Sequence, residues 1–367
     1  MVRVRAAVAC ATLVALLSAC DPGSSDNPTI SSPASSTATE SSTSSATGSA
    51  STTGATSHSG SPSPSAVANP LADDRFWVDP NSHAAREERA RRSAGKTSDA
   101  TLLAKIATQP TAVWLGSWQA LDQVDQIMTA AGRTGATPLF VAYYIPDRDC
   151  GGSSAGGARD GSDYRSWIGA LATKLGNHRA VLVLEPDAVP MSAPGGCAAS
   201  SFGQRSVLLA GAIRTLKARP GVSVYLDAGH PAWPSDPTVS VTPLLASGLA
   251  AADGFALNTS NFQRTSDDLH YGDALSALVG GKHFIVDTGR NGNGPLPDGS
   301  SYRGPSWCNP PGRALGRAPT TATGDPLADA FLWVKYPGES DGSCGLGDLP
   351  AGSWLPDYAI GLARRAQ

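Results

Sequence analysis

What this 367-residue chain lacks narrows it before any motif is read. Its charge is almost balanced, 28 Lys and Arg against 31 Asp and Glu, for a formal net charge of −3. Neither nucleic acid nor a strongly acidic partner is implied by so small an imbalance. The apolar stretch near the start, Ala6–Leu17, falls short of the ~20 residues that a membrane-spanning helix needs. Six cysteines are present, but there is no CxxC pair, and no His accompanies Cys150, Cys197, Cys308 or Cys344, which argues against a zinc site. No GxGxxG follows the first candidate strand, so dinucleotide binding is disfavoured. All eight Trp, eight Tyr and seven Phe fall after residue 69. Whatever folds around a core therefore lies beyond that point.

The first residues read as an address. Arg3 and Arg5 precede the apolar stretch, which ends in Leu17-Ser18-Ala19-Cys20, a sequence that resembles the bacterial lipobox. On this reading residues 1–19 are a signal peptide, and Cys20 is lipidated and becomes the mature N-terminus. Ordinary cleavage near Ala19 is the alternative. A diacyl anchor carries two chains, enough for stable attachment where one is marginal. Residues 20–69 are Ser, Thr, Ala, Gly and Pro with almost no charge, a composition that cannot offset the entropy of ordering. They are expected to form a disordered tether of roughly 35–40 Å r.m.s., open to O-glycosylation. With Cys10 in the signal and Cys20 the lipid candidate, four cysteines remain, and an even number in an exported protein suggests two disulfides.

From residue 70 to 367 the texture alternates between short apolar runs and amphipathic stretches. The runs at 112–118, 138–145, 180–184, 222–226, 254–258, 283–286 and 330–335 read as buried strands, and 121–131, 164–175, 205–218 and 267–278 as helices. Strand and helix in turn, about 30–45 residues per unit, predict a parallel α/β-barrel of the TIM type. A doubly wound open sheet is the alternative.

Five of these strands run into carboxylates at their C-terminal ends: Asp147 and Asp149, Glu185 and Asp187, Asp227, Asp287, and Glu339 and Asp341. That is the face on which parallel barrels place active sites. One such Asp is more often a cap or turn residue. Several on one rim raise one another's pKa, as acid–base chemistry requires. Trp114, Tyr143, Trp233 and Trp307 lie beside these acids, and flat indole faces suit the C–H faces of sugar rings. Trp77, Trp167, Trp333 and Trp354 fall inside helix or strand patterns and read as core.

The ordered motifs Tyr143-Tyr-Ile-Pro-Asp-Arg-Asp-Cys150, Leu184-Glu-Pro-Asp187, Tyr225-Leu-Asp-Ala-Gly-His230, Asn258-Thr-Ser-Asn261, Asp287-Thr-Gly-Arg-Asn-Gly292, Trp307-Cys-Asn309 and Trp333-Val-Lys-Tyr-Pro-Gly-Glu-Ser-Asp-Gly342 resemble glycoside hydrolase family 6 over about residues 70–367. The family comprises endoglucanases and cellobiohydrolases. The resemblance implies a distorted, incomplete parallel β/α-barrel of about seven strands and hydrolysis of β-1,4-glucosidic bonds with inversion. It also implies roles. Asp187 matches the general acid, Asp149 the second aspartate that tunes it, Asp341 the residue usually proposed as base, and Asp227 a further cleft aspartate. Tyr143 matches the tyrosine against the distorted sugar. Lys335 and Glu339 match polar glucan contacts, Trp114, Trp233 and Trp307 sugar-stacking positions, and Asn258, His230 and Arg290 further cleft residues. The family's disulfides would be Cys150–Cys197 and Cys308–Cys344. A water-positioning serine is expected after Asp149, and Ser154 in Gly151-Gly-Ser-Ser-Ala155 is the candidate, with register uncertain by one residue.

The short Cys150–Cys197 loop and the absence of a large insertion between Asn309 and Lys335 favour an open cleft and an endo-acting enzyme. An exo-acting cellobiohydrolase, or a non-catalytic oligosaccharide-binding lipoprotein, are the alternatives. The expected partner is a β-1,4-glucan chain, with membrane contact only through the anchor, no nucleic acid, no cofactor, no metal and a monomeric state. The expected location is outside the cell, anchored to the outer face of its membrane or released.

Overall fold

The computed structural model describes residues 68–344 and 349–366. The expected signal, Cys20 and all but the end of the expected tether lie outside the described residues. Asn69, assigned from sequence to the tether, is already part of the fold: its amide donates to Asp329 O (2.8 Å) and its Oδ1 accepts from Leu71 N (2.7 Å).

Seven strands, β1 (Val113–Leu115), β2 (Leu139–Ala142), β3 (Ala180–Leu184), β4 (Val222–Asp227), β5 (Gly254–Leu257), β6 (His283–Asp287) and β7 (Ala328–Leu332), form one sheet in sequence order. Every pairing is parallel. Among the described residues nine α-helices accompany them: α1 (His83–Ser93), α2 (Thr97–Ala107), α3 (Val124–Thr134), α4 (Gly161–Leu175), α5 (Ala188–Ser192), α6 (Phe202–Lys217), α7 (Thr238–Ala246), α8 (Thr265–Leu278) and α9 (Pro356–Arg365). The strands are apolar on both faces because both are covered. Leu139, Val141, Val181, Val183, Tyr225, Ala256, Ile285, Ala330 and Leu332 point into the curl of the sheet, where Leu71 and Phe76 join them. The alternate residues, among them Phe140, Leu182, Leu226, Phe255 and Phe284, pack under the helices. The sheet curls into an incomplete barrel. Its edges meet through Ala112 N to Trp333 O (3.0 Å) and Trp114 Nε1 to Val334 O (2.9 Å). Leu103 and Ile106 of α2 pack with Ile360 and Leu362 of α9 against Trp333 and Tyr336, just beyond β7.

All seven expected strands and all four expected helices are present. β1 ends at Leu115, short of its apolar run, and β5 stops one residue early at Leu257; two further strands end earlier than their runs suggest, for one reason. The run at 138–145 leaves the ladder after Ala142, and the Glu185 carboxylate accepts from Tyr144 N (3.1 and 3.0 Å) and Ile145 N (3.0 Å). The run at 330–335 is shifted, with β7 ending at Leu332, and the Asp287 carboxylate accepts from Val334 N (3.2 Å) and Lys335 N (2.8 Å). In both places a carboxylate at the end of one strand takes the N–H groups of its neighbour and turns that chain away from the sheet. Asp227 does the same for β3, accepting from Asp187 N (3.0 Å). These buried acceptors satisfy donors that the ladder abandons.

Candidate active site

The side chains at the C-terminal rim fall into four groups, from the loops after β2, after β3 and β4, after β5, and after β6 and β7. The loop after β2 is built around Arg148, which donates from Nη1 to Tyr143 O (2.6 Å) and from Nε to Ser154 O (2.7 Å). Its guanidinium lies 4.5 Å above the Tyr143 ring, which meets Trp114 edge-on at 5.3 Å. Within this loop Ser154 N donates to Asp149 Oδ2 (2.6 Å), so the main chain of Ser154 orients that carboxylate. The Cys150–Cys197 bridge ties the loop to the one after β3.

Asp187 follows β3 in a left-handed conformation (φ 68°) and stays partly accessible. Burial, the neighbouring Asp227 and then Asp149 hold its carboxyl well above the usual carboxylate range. Asp227 is almost wholly buried; its Oδ1 accepts from Asp187 N and Gly229 N (3.2 Å), and burial pushes it up to about 6. His230 lies beyond it, its Nε2 2.9 Å from Asn261 Nδ2, and burial brings it down to about 4, so the ring is neutral at ordinary pH. The His230 and Trp233 rings are 6.3 Å apart.

The third group follows β5. Asn258 is completely buried, and its side chain is engaged by main chain: Nδ2 donates to Asp287 O (2.8 Å) and Oδ1 accepts from Gln263 N (3.0 Å). It braces the turn that presents Ser260. The fourth group comes from the segments that follow β6 and β7. Asp341 Oδ2 accepts from Arg290 Nη1 (2.8 Å) and Asn309 N (2.9 Å), and Oδ1 from Ser260 Oγ (3.2 Å). Arg290 lies 4.3 Å from the Phe262 ring centre. Lys335 donates to Ser340 O (2.9 Å), sits 5.4 Å from the Trp114 ring centre and is lowered by burial. Glu339 is pushed up to about 7 by burial, with Lys335 and Arg290 pulling the other way. Trp307, 43% exposed, directly precedes the Cys308–Cys344 bridge. The two bridges pair the cysteines as the family resemblance implied.

The loops are held in costly backbone conformations. Among the described residues nine non-glycine positions have positive φ: Asp147, Asp149, Cys150, Glu185, Asp187, Asn258, Ser260, Asn309 and Cys344. All nine follow strand ends on this rim. Strain of this kind persists only where surrounding structure over-determines it, and it concentrates at functional sites. Gly342 has φ 136°, and a Cβ there would come within 2.8 Å of Ser153 Cβ, so the Asp149 loop and the Asp341 loop touch. The structure thus brings the acids after β2, β3, β4 and β7 to one rim. It separates Glu185 and Asp287 from them, since both are buried and spent on main-chain donors, Asp287 also on Gly289 N (2.9 Å) and Ser260 N (2.9 Å). Arg148, Ser260 and Asn309 carry much of the geometry. Each lies inside a quoted motif, yet residue type alone assigned them no task.

The raised carboxyls have a consequence for stability. Glu185 is pushed up to about 7, as is Glu339, and Asp227 to about 6, all above the ~4 of an unfolded chain. The fold therefore binds these protons more tightly, and the stabilisation, complete below about pH 4, is lost as pH rises through 6 and 7. His230, lowered to about 4, works in the opposite sense between pH 4 and 6.5 and offsets one carboxylate. The melting temperature is expected to fall by several degrees between about pH 5 and 7.5; a flat or rising profile in calorimetry would contradict this accounting.

Residues 71–366 match the family described as "Glycosyl hydrolases family 6". The chain is 41% identical over 303 residues to "Endoglucanase A" of Thermobispora bispora, covering 80% of this chain and 63% of that protein. It therefore spans just under two thirds of that relative's length. It is 31% identical over 326 residues to the "Probable 1,4-beta-D-glucan cellobiohydrolase C" of Aspergillus niger, covering 73% of this chain and 70% of that protein. The structure of the endoglucanase Cel6 from Mycobacterium tuberculosis, in complex with a methyl-cellobiosyl-thio-cellobioside, superposes with a TM-score of 0.74 at 42% identity, covering 81% of this chain and 99% of that one.

Proposed function

Because the chain belongs to glycosyl hydrolase family 6, we propose that it hydrolyses internal β-1,4-glucosidic bonds of cellulose or a related β-glucan with inversion at the anomeric carbon. One observation carries this reading. The Asp187 carboxyl, partly accessible at the tip of β3, is pressed by burial, Asp227 and Asp149 toward its protonated form. A carboxylic acid kept neutral near pH 7 is what protonation of a glycosidic oxygen needs.

Asp187 is then the proton donor. Asp149 raises its proton affinity and stabilises positive charge developing on the sugar ring, and Asp227 fixes its main chain. Water attacks from the opposite face, which in inverting enzymes places acid and base roughly 6.5–9.5 Å apart. Asp341 is the candidate base. With Arg290 and Asn309 on one oxygen and Ser260 on the other, it is a restrained acceptor rather than a free one. Trp114, Trp233 and Trp307 offer ring faces for glucose units, Tyr143 supports the ring undergoing reaction, and Lys335, Glu339, His230 and Arg290 line the cleft. Ser154 reaches Asp149 through its main chain, and its hydroxyl is the candidate to hold the water.

Endo action is the reading favoured by the short Cys150–Cys197 connection and by the higher identity to an endoglucanase than to a cellobiohydrolase. The two disulfides suit an oxidising compartment, which accords with residues 1–19 as a signal and Cys20 as a lipid anchor. On soluble carboxymethyl-cellulose, viscosity should drop well before reducing ends accumulate, and product NMR should first detect the α-anomer. Viscosity that tracks reducing ends would move the enzyme to the exo class; an initial β-anomer would refute inversion.

A further inference from the structure

The Asp149 loop is held at its root by a cation that lies outside every motif quoted above. Arg205 belongs to α6 and is 4% exposed. Its Nη2 donates to Asp147 O (2.6 Å) and Pro146 O (3.3 Å). Nη1 is buried without a hydrogen-bond partner among the described residues. Leaving a guanidinium arm unpaired in the interior is costly, so the side chain is retained for its other arm. That arm grips the two carbonyls immediately before a run in which Asp147, Asp149 and Cys150 all take positive φ (52°, 57° and 47°).

The chain just ahead of α6 supplies the loop's other anchor. Cys197 lies five residues ahead of the start of α6 and bridges to Cys150. Arg205 on one side and the disulfide on the other therefore span Pro146 to Cys150, with Asp149 between them. Arg148 acts inside the loop, on Tyr143 O and Ser154 O. Among the described residues, the strained segment is tied to α6 by the Arg205 hydrogen bonds and to the chain just ahead of α6 by the disulfide. The groups facing Arg205 are Asp147, Glu185 and Tyr143. Those facing Asp187 are Asp227 from β4, and Asp149 and Tyr143 from the segment after β2.

We propose that Arg205 is a positioning residue for the reaction: its guanidinium clamps the Pro146 and Asp147 carbonyls to α6 and so fixes the Asp149 carboxylate beside Asp187. The inference rests on Asp187 as proton donor. It adds a control on that donor. When the clamp is released, the Asp149 charge moves away from Asp187 and the donor gives up its proton at lower pH.

The test uses the full chain, with kcat and KM on soluble cellulose derivative measured from pH 4 to 9 for Arg205→Met, Asp149→Asn and the double variant. Free thiols are titrated to check the bridges, and rates are normalised to folded protein. Arg205→Met is expected to lower kcat on the order of 10- to 100-fold, to change KM far less, and to move the alkaline limb of the kcat profile to lower pH. Adding it to Asp149→Asn should cost little more, because the two act through one carboxylate. Arg205→Lys, which keeps one donor for Asp147 O, should restore most of the rate and the limb. A limb at the wild-type position, or full additivity with Asp149→Asn, would leave Arg205 a structural residue only and overturn the inference. If Arg205→Met does not fold, Arg205→Gln, shorter and uncharged, takes its place in the same cycle, with coupling expected and additivity decisive against. Should Asp187→Ala itself turn over normally, the donor assignment has failed; should it be inactive while the Arg205 variants titrate as wild type, only the clamp has failed.

Discussion

Asp187→Ala is expected to lose about 10³-fold in kcat on cellulose, within the 10²- to 10⁴-fold range of general acid catalysis, while glucan binding is retained. The loss should depend on the leaving group. An alkoxide departing from a glucose O4 needs a proton in the transition state. A dinitrophenolate departing from an aryl cellobioside does not, so that substrate should lose far less. The pH profile should also change. Wild-type activity is expected to fall on the alkaline side as Asp187 ionises, and because its carboxyl is held well above the normal range, that limb should lie far from 4; in the variant it should disappear. Wild-type turnover on cellulose would remove Asp187 from the mechanism. Equal losses on both substrates would mean that it does something other than protonate the departing oxygen.

The second large effect concerns Asp341, and stability as much as rate. The Arg290 and Asp341 side chains form a 2.8 Å ion pair and are only 1% and 4% exposed. Arg290 cannot shed its charge. Asp341→Ala therefore leaves a buried cation without its counter-ion, at a cost of roughly 3–5 kcal/mol, and removes an acceptor of Asn309 N and Ser260 Oγ as well. A shift of that size in urea unfolding should accompany the loss of activity. Asp341→Asn retains an acceptor for Asn309 N while removing the charge. An inactive Asp341→Ala enzyme is therefore no proof of a base; the informative comparison is rate per folded molecule across Ala, Asn and Glu. Wild-type stability in Asp341→Ala would show that Arg290 finds another partner, and the ion pair would then be incidental to the fold.

Much of the architecture was legible because the information is local. Apolar runs of four to six residues separated by amphipathic stretches are a property of contiguous sequence, and β1 to β7, α3, α4, α6 and α8 appear where the pattern places them. Three of the helices not anticipated, α1, α7 and α9, offer a weaker apolar pattern for visible reasons. α1 is largely Arg and Glu, with only Ala84 and Ala85 buried; α7 contains Pro243; α9 buries Ala359, Gly361 and Ala363 among its few large residues.

The site divides along the same line. The sequence by itself determined that carboxylates would gather at the C-terminal ends of parallel strands, because a strand's end and the residue after it are neighbours in the chain. It also determined that four cysteines were available for two bridges. Which carboxylates are left accessible and which are spent on main-chain donors was decided only by the tertiary structure. Glu185 and Asp187 are two residues apart in one motif, yet one is sealed beneath the β2 loop accepting main-chain N–H groups and the other faces the cleft beside Asp227 and Asp149. Asp287 looks like Asp227 from sequence, but its oxygens are spent on four backbone donors. Whether a rim acid braces the scaffold or stays able to exchange a proton depends on which distant N–H groups reach it. That is set by how neighbouring strands end, and no single segment encodes it.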